Sequence, residues 1–289
     1  MTHHKPALDA ASHKQFPASI ETTQIDGLKI RYARSERAGA ETLLLLSPWP
    51  ESLMAFLPTW SQFAKNYDVI AIDLPGFGHS EGRPDVIAPE AMGEFIVKVV
   101  KHFGLNRPHV VGPDVGTSTL LFAAANNPGI FSSITIGSGG VAYPLDVTSS
   151  LKEWIDYPTL EPLQNIDIPA KINATLSTLQ HYKVPDFVRE DYISSYSGKG
   201  RFAESARFVR LYPKELEVLK DRLPDIKTPV LVITGQHDPF VPVSNGQYVV
   251  ERVPVSHLEI VNSGHLVWED AADAYAGFVL DWVKKHKRH

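Results

Sequence analysis

The chain alternates between short apolar runs and stretches with helical spacing. Continuous apolar runs, such as "TLLLLS" at 42–47, also occupy 68–74, 109–112, 132–137, 229–235 and 257–261. Such runs are typical of strands buried on both faces of a parallel sheet. Between them, 89–105 places one apolar face on a helix, made of Met92, Phe95, Ile96, Val99, Val100 and Phe103. Strand alternating with helix predicts a mostly parallel sheet flanked by helices.

Two regions depart from this alternation. Residues 22–35 read as a hairpin that turns at Asp26-Gly27. Residues 141–212 have no convincing buried strand and carry four aromatic-rich helical patterns, at 149–157, 168–182, 185–197 and 201–212. We therefore predict a core domain of 20–140 and 213–289, a helical cap of 141–212 over the sheet, and an N-terminal extension of 1–19. Ligands bind beyond the carboxyl ends of the strands in such sheets, where a cap would exclude water.

Composition narrows the function classes. The 289 residues are 43% apolar and 21% charged, with a formal net charge of −5 and no cysteine. Disulfides and thiolate metal sites are therefore excluded, and nucleic acid is not an expected partner. We interpret the basic end "KKHKRH" as a solvated helix end. The start has no apolar signal core and no run has membrane-spanning length, so we expect a cytoplasmic protein without membrane contact. We expect a monomer or homodimer without metal or cofactor.

The segment "VVGPDVGTS" at 110–118 places a carboxylate between a strand and a helix. Asp114 lies in the pattern G-x-D-x-G, and Gly112 and Gly116 would let strand and helix approach closely. Esterases hold a serine at such a turn, exposed to the pocket. Asp114 is therefore a candidate nucleophile. The alternative interpretation is an aspartate that caps the following helix.

A serine-hydrolase motif also occurs, as "GHSEG" at 78–82. The preceding strand ends near Leu74, and two prolines follow the motif without an immediate helix. Ser80 is thus not expected at a strand-turn-helix apex. We interpret it as a loop serine with local hydrogen bonds.

Two further residues follow buried strands. Asp238 lies in "GQHDPFVP" and His265 in "NSGHLVWED". The chain order of nucleophile, acid and histidine is that of α/β-hydrolases. Each residue alone could be an ordinary loop residue, but together they predict a triad of Asp114, Asp238 and His265.

These motifs resemble the α/β-hydrolase superfamily from about residue 20 onward. The apex aspartate, "DLPGFGHSEGRP" and "SPWPES" resemble its branch of epoxide hydrolases and haloalkane or haloacetate dehalogenases. The resemblance implies an eight-stranded sheet, and an oxyanion hole from the backbone N–H groups of Trp49 and Val115. Ser47 and Pro48 depart from the His-Gly of the branch's H-G-x-P loop.

An acid at the apex suits displacement at saturated carbon. An ionised carboxylate attacks an epoxide or halide-bearing carbon without prior deprotonation and forms an ester of Asp114. Water activated by His265 would then attack the aspartyl carbonyl, with the oxyanion hole acting on the enzyme's own oxygen. Asp238 would orient the imidazole.

The leaving group separates the candidate functions. An epoxide alkoxide needs a proton donor, for which relatives use cap tyrosines, and the cap is rich in tyrosine. A halide needs N–H donors; Val115 gives no side-chain donor, and the Trp49 indole could donate or simply pack. The sequence favours an epoxide hydrolase for small apolar organic substrates and water, with a dehalogenase or a non-catalytic binding protein as alternatives. The expected substrate-binding residues of the cap are Tyr143, Trp154, Tyr182 and Phe208.

Overall fold

The computed structural model describes residues 15–287. Its single sheet has eight strands in the order β1-β2-β4-β3-β5-β6-β7-β8. The strands are β1 Ser19–Ile25, β2 Leu28–Ser35, β3 Thr42–Leu46, β4 Asp68–Ile72, β5 His109–Pro113, β6 Ser133–Gly137, β7 Val230–Gly235 and β8 Ser256–Val261. Every predicted apolar run became a strand.

The first two strands form the predicted hairpin. β1 pairs antiparallel with β2, from Ser19 opposite Arg34 to Ile25 opposite Leu28, and Asp26 and Gly27 both take positive φ at the turn. β2 is also antiparallel to β4, whereas the remaining neighbours are parallel. Strands β3 to β7 are almost wholly buried, which explains their continuous apolar sequence.

Helices flank the sheet, and the chain between β6 and β7 is itself mostly helical. The helices are α1 Leu57–Ala64, α2 Pro89–His102, α3 Gly116–Asn126, α4 Ser149–Asp156, α5 Ile168–Leu176, α6 Asp186–Tyr196, α7 Arg201–Arg210, α8 Tyr212–Arg222, α9 Ser244–Val250, α10 Val267–Asp270 and α11 Ala272–Lys285. Short 3-10 turns occupy Leu53–Phe56, Glu161–Leu163 and Leu223–Asp225. No helix within residues 15–287 is long and apolar enough to cross a membrane.

Helix α5 is shorter than its sequence pattern predicts. The pattern runs to 182, but the helix ends at Leu176. The hydroxyl of Ser177 donates to a helix carbonyl, and the backbone N–H groups of Gln180 and His181 donate to Asp270 Oδ1 at 2.7 and 2.6 Å. Side chains thus replace the helical hydrogen bonds at this end. The same contact joins the cap to the short helix α10.

The cap is held to the core by polar contacts at α6 and α7. Arg31 of β2 donates to both carboxylate oxygens of Asp191 of α6, at 3.1 and 2.6 Å. Arg201 of α7 donates to the carbonyls of Gly78 and Ser80 at 2.6 and 2.7 Å. Because these groups are largely buried, the contacts fix this half of the cap more firmly than surface ion pairs would.

Both chain ends lie partly outside the described residues. Of the predicted N-terminal extension, residues 1–14 lie outside them; Phe16 packs edge-on against Trp60 of α1, with ring centroids 4.8 Å apart. Of the basic C-terminal segment, residues 288–289 lie outside them.

Candidate active site

Asp114 lies at a sharp turn between β5 and α3. Its φ is +53°, a left-handed conformation that is strained for a residue with a side chain. The strain is maintained by close packing, since its backbone N–H donates to Gly137 and its carbonyl accepts from Thr117, both at 2.9 Å. A Cβ on Gly139 would lie 2.1 Å from the Asp114 carbonyl oxygen, so this position accepts only glycine without movement.

The side chain of Asp114 does not cap α3. The N-cap residue of that helix is Val115, and it makes no side-chain cap hydrogen bond. Instead, Asp114 Oδ2 accepts from the backbone N–H of Trp49 at 2.7 Å, and the N–H of Val115 also bonds to the carboxylate. The helix-cap interpretation is therefore wrong for this residue. Trp49 and Val115 are the two residues whose N–H groups the sequence predicts for an oxyanion hole, and that role stays a prediction.

His265 and Asp238 lie beside Asp114. His265 Nδ1 is 2.7 Å from Asp238 Oδ2, and its Nε2 is 3.8 Å from Asp114 Oδ1. The other oxygen of Asp238 accepts from the N–H groups of Phe240 and Val241 at 2.8 and 3.0 Å. Because a carboxylate only accepts, Nδ1 carries the proton and Nε2 presents its lone pair towards Asp114. The sequence-predicted triad residues are thus brought together.

Burial sets the electrostatics of the triad. It raises the pKa of Asp114 to about 6, although the charge of His265 and the two N–H donors oppose it. Burial lowers the pKa of His265, but the charge and hydrogen bond of Asp238 outweigh it and leave the pKa raised. Above about pH 6 Asp114 is therefore mainly ionised beside a histidine that gains a proton easily.

A small cavity of about 40 Å³ opens at the triad. Its wall contains Asp114 and His265 together with apolar groups from Trp49, Pro50, Leu151, Trp154 and Phe240. Helices α4 and α5 contribute three polar residues, Ser150, Lys171 and Thr175. Such a cavity admits only a small substrate.

Of the four cap residues predicted to bind substrate, Trp154 lines this cavity and three do not. Tyr143 stacks under Lys220 at 4.6 Å, and Phe208 packs edge-on against Phe77 and Tyr212. Burial and the nearby charge of Glu269 raise the pKa of Tyr182. Periodicity does not distinguish Phe208 from Trp154, because both are buried aromatics of helical segments. The lysine and hydroxyls of α4 and α5 were missed, since single polar residues in a helical pattern carry no signal.

Ser80 occupies a structural position. It is fully buried, its hydroxyl donates to the carbonyl of Asp73 at 2.7 Å, and it accepts from the N–H of Arg31 at 2.9 Å. The interpretation as a locally bonded loop serine is confirmed.

A buried pair of carboxyl groups lies behind the loop that carries Trp49. Glu51 Oε2 accepts from the indole N–H of Trp268 at 3.2 Å, and Glu269 Oε1 from the hydroxyl of Tyr192 at 2.9 Å. The other oxygen of each carboxyl group is buried without a further partner, which leaves the pair to share a proton. Burial, the charge of Glu269 and their hydrogen bond hold the pKa of Glu51 well above its usual range. Burial also raises the pKa of Glu269 to about 7. Glu51 therefore keeps its proton and donates it to Glu269.

The chain matches a family model over residues 41–272, described as the α/β-hydrolase fold. The chain belongs to the α/β-hydrolase family. Curated relatives include the hydrolase YugF of Bacillus subtilis, 25% identical over 269 residues, covering 92% of this chain and 98% of the relative. A 2-hydroxy-6-oxononadienedioate/2-hydroxy-6-oxononatrienedioate hydrolase of Paraburkholderia phymatum is 25% identical over 297 residues, covering 95% and 99%. The solved structure of the epoxide hydrolase CorEH has a TM-score of 0.78 at 20% identity, covering 93% of this chain and 99% of that one.

The family match makes this protein a hydrolase with the α/β-hydrolase fold and confirms the predicted eight-stranded, mostly parallel sheet. The relatives are hydrolases of different kinds, so they do not identify the nucleophile or the substrate.

Proposed function

We propose that this α/β-hydrolase uses Asp114 as its nucleophile and opens small epoxides to vicinal diols through an ester of Asp114. The observation that carries the proposal is the different environment of the two carboxylate oxygens. Oδ2 is held by the Trp49 N–H at 2.7 Å, whereas Oδ1 lies 3.8 Å from His265 Nε2. We assign Oδ2 as the oxygen held by the backbone and Oδ1 as the attacking atom.

In the first step Asp114 Oδ1 attacks an epoxide carbon. The new C–O bond forms as the ring C–O bond breaks, and the resulting alkoxide takes a proton from a protic group of the cavity wall. Attack by a carboxylate requires its ionised form, which dominates above about pH 6. An apolar cavity raises the reactivity of this carboxylate, because few water molecules solvate it.

In the second step water attacks the Cγ atom of the Asp114 ester. His265 Nε2 takes the water proton, and Asp238 stabilises the imidazolium through the 2.7 Å contact at Nδ1. Negative charge develops on Oδ2, which already accepts from the N–H of Trp49, and the N–H of Val115 bonds to the same carboxyl group. Collapse of the tetrahedral intermediate breaks the ester bond, and the leaving alkoxide takes the proton from His265 to give the diol. Asp114 is left as a carboxylic acid, and its proton returns to the wall group that protonated the first alkoxide, which restores the carboxylate.

The surroundings of the leaving group favour an epoxide over a halide. The indole N–H of Trp49, a candidate halide donor, donates instead to Ser205 Oγ at 2.8 Å. Val115 gives no side-chain donor next to Asp114. The hydroxyl groups that the cap places in the cavity wall are those of Ser150 and Thr175, and we assign to them the role of the tyrosine proton donors that the resemblance implied. The similarity to the epoxide hydrolase CorEH is in keeping with this choice, and at 20% identity it supports the fold alone.

Trapping the ester tests the proposal. In His265→Gln the second step loses its base, so a small aryl epoxide should leave one equivalent of added mass on the protein, located by peptide mapping on 110–118. The reaction is run at pH 8, because loss of the His265 charge raises the pKa of Asp114 further. Asp114→Asn is the matched control and should remain unlabelled.

Isotope labelling provides the second readout. In a single turnover of the native enzyme in ¹⁸O-water, the label should enter Asp114, because water attacks the enzyme's carbonyl carbon. Diol formation without label in Asp114 would overturn the ester mechanism. Efficient halide release from haloalkanes with no diol from epoxides would instead support the dehalogenase alternative. No product and no adduct with either class would support a binding protein.

A further inference from the structure

Lys171 is the only cation in the wall of the triad cavity among the described residues. It lies on α5, and its side chain is partly buried. Its Nζ lies 4.2 Å from the centroid of the Trp154 ring and 3.4 Å from Ser150 Oγ. The ammonium group is thus positioned by an aromatic face and a hydroxyl in the wall of the cavity that Asp114 also lines.

The ammonium group has no anionic partner of its own. No ion pair joins Lys171 to a carboxylate within residues 15–287. Burial lowers the pKa of Lys171, and the charge of Glu153 only partly opposes this. The Glu153 carboxylate accepts from the hydroxyl of Tyr157. The Ser150 contact is long for a hydrogen bond and leaves two N–H bonds of the ammonium without a protein acceptor. Withdrawing a cation from water without a counter-charge is unfavourable, so such a site favours an anionic ligand.

The wall of the cavity therefore carries both an acidic and a basic side chain. An anionic substrate would be repelled from Asp114 unless a cation compensated the charge. Lys171 supplies that cation from the cap. A cavity of about 40 Å³ leaves room for only a few atoms between the two groups.

We propose that Lys171 binds the carboxylate of a short carboxylic acid substrate whose neighbouring carbon carries the group that Asp114 displaces. This rests on the proposed function and names its substrate class as short epoxy acids rather than purely apolar epoxides. The carboxylate would accept from Lys171 Nζ and replace its missing counter-charge. The apolar groups of Trp154 and Phe240 would then enclose the carbon skeleton.

Binding of simple probes tests the anion site without turnover. Propionate and propionamide have almost the same shape and differ in charge. Isothermal titration should show that the native protein binds propionate more tightly than propionamide. Lys171→Met should weaken the affinity for propionate by about 10- to 100-fold, the range of one charge-assisted contact. Lys171→Arg should recover part of the affinity. Propionamide should bind all three proteins equally.

Turnover distinguishes this inference from the proposed mechanism. Glycidate and glycidamide form the corresponding epoxide pair, and Lys171→Met should raise KM for glycidate by about 10- to 100-fold while leaving glycidamide nearly unchanged. Equal loss with both epoxides would overturn the anion site and assign Lys171 to proton donation or to structure. Equal affinity of the native protein for propionate and propionamide would also overturn it. Failure of the Asp114 mechanism would appear separately, as absence of any ester on Asp114 with either epoxide.

Discussion

Replacing Glu51 by glutamine tests the proton shared within the buried carboxyl pair. The amide of glutamine has the shape of a protonated carboxyl group. Its NH₂ can donate to Glu269 in place of the shared proton, and its oxygen can accept from the Trp268 indole, which lies 3.2 Å from Glu51 Oε2. We therefore expect Glu51→Gln to fold normally and to show the native Tm within a few degrees at pH 5.

The difference between the two proteins should grow with pH. The folded-state pKa of Glu51 is raised well above its ordinary 4.5, so the folded protein keeps a proton that the unfolded chain loses. Above pH 4.5 the native protein therefore loses stability as pH rises, by about 1.4 kcal/mol per pH unit, until the folded pKa is reached. Between pH 5 and 7 this loss from Glu51 accumulates with each pH unit for as long as its carboxyl group stays protonated in the folded protein. Glu51→Gln has no ionisable group at this position, so its free energy of unfolding should fall less over the same pH range.

Urea unfolding at pH 5, 6, 7 and 8 measures this difference directly. Glu204→Gln is the matched control, because Glu204 is 49% exposed and its replacement removes one surface charge without touching the pair. The free energy of unfolding of Glu204→Gln should change with pH in parallel with that of the native protein. Two results would show that Glu51 does not hold a proton in the folded state. One is that the stability of Glu51→Gln falls with pH in parallel with that of the native protein. The other is that Glu51→Gln is less stable than the native protein by 3 kcal/mol or more at pH 7.

Three further predictions follow from the site. Ester formation on Asp114 in a single turnover should rise about tenfold from pH 5 to 7 and then level off, since its pKa is about 6; a rate independent of pH over this range would contradict the raised pKa. Gly139→Ala should destabilise the fold by about 1 to 3 kcal/mol in urea unfolding, because its Cβ would lie 2.1 Å from the Asp114 carbonyl oxygen, while Gly277→Ala, with nothing within 4 Å, should not. Ser80→Ala should lose about 1 to 3 kcal/mol of stability, having removed a buried hydroxyl, but keep its turnover per folded molecule; loss of all turnover in folded protein would make Ser80 the nucleophile.

The strands were predictable because each carries its own signal. Runs such as 42–47 and 229–235 are apolar throughout, and burial on both faces of a parallel sheet requires this. Candidate chemistry was also predictable where it follows a strand end, as with Asp238. Such residues meet at one edge of the sheet whatever the details of the loops.

The cavity wall was not predictable in the same way. Trp154 and Phe208 are both buried aromatics in amphipathic helices, and only the packing of α4 against α7 decides that one meets the cavity. The partner of Glu51 lies more than two hundred residues away in sequence, at Glu269. Contacts of this kind depend on the crossing of helices over the sheet, which no local pattern encodes.

The contact of Asp270 with the cap has a consequence for timing. Asp270 follows His265 by five residues, accepts from the backbone of Gln180 and His181, and lies 3.3 Å from Ser263 Oγ in the loop that carries the histidine. Displacement of this cap segment would remove two N–H donors from Asp270, whose other oxygen accepts from the loop that carries the histidine. We therefore expect the cap segment and the position of His265 to be mechanically coupled, so that entry of a substrate also affects where the base is held.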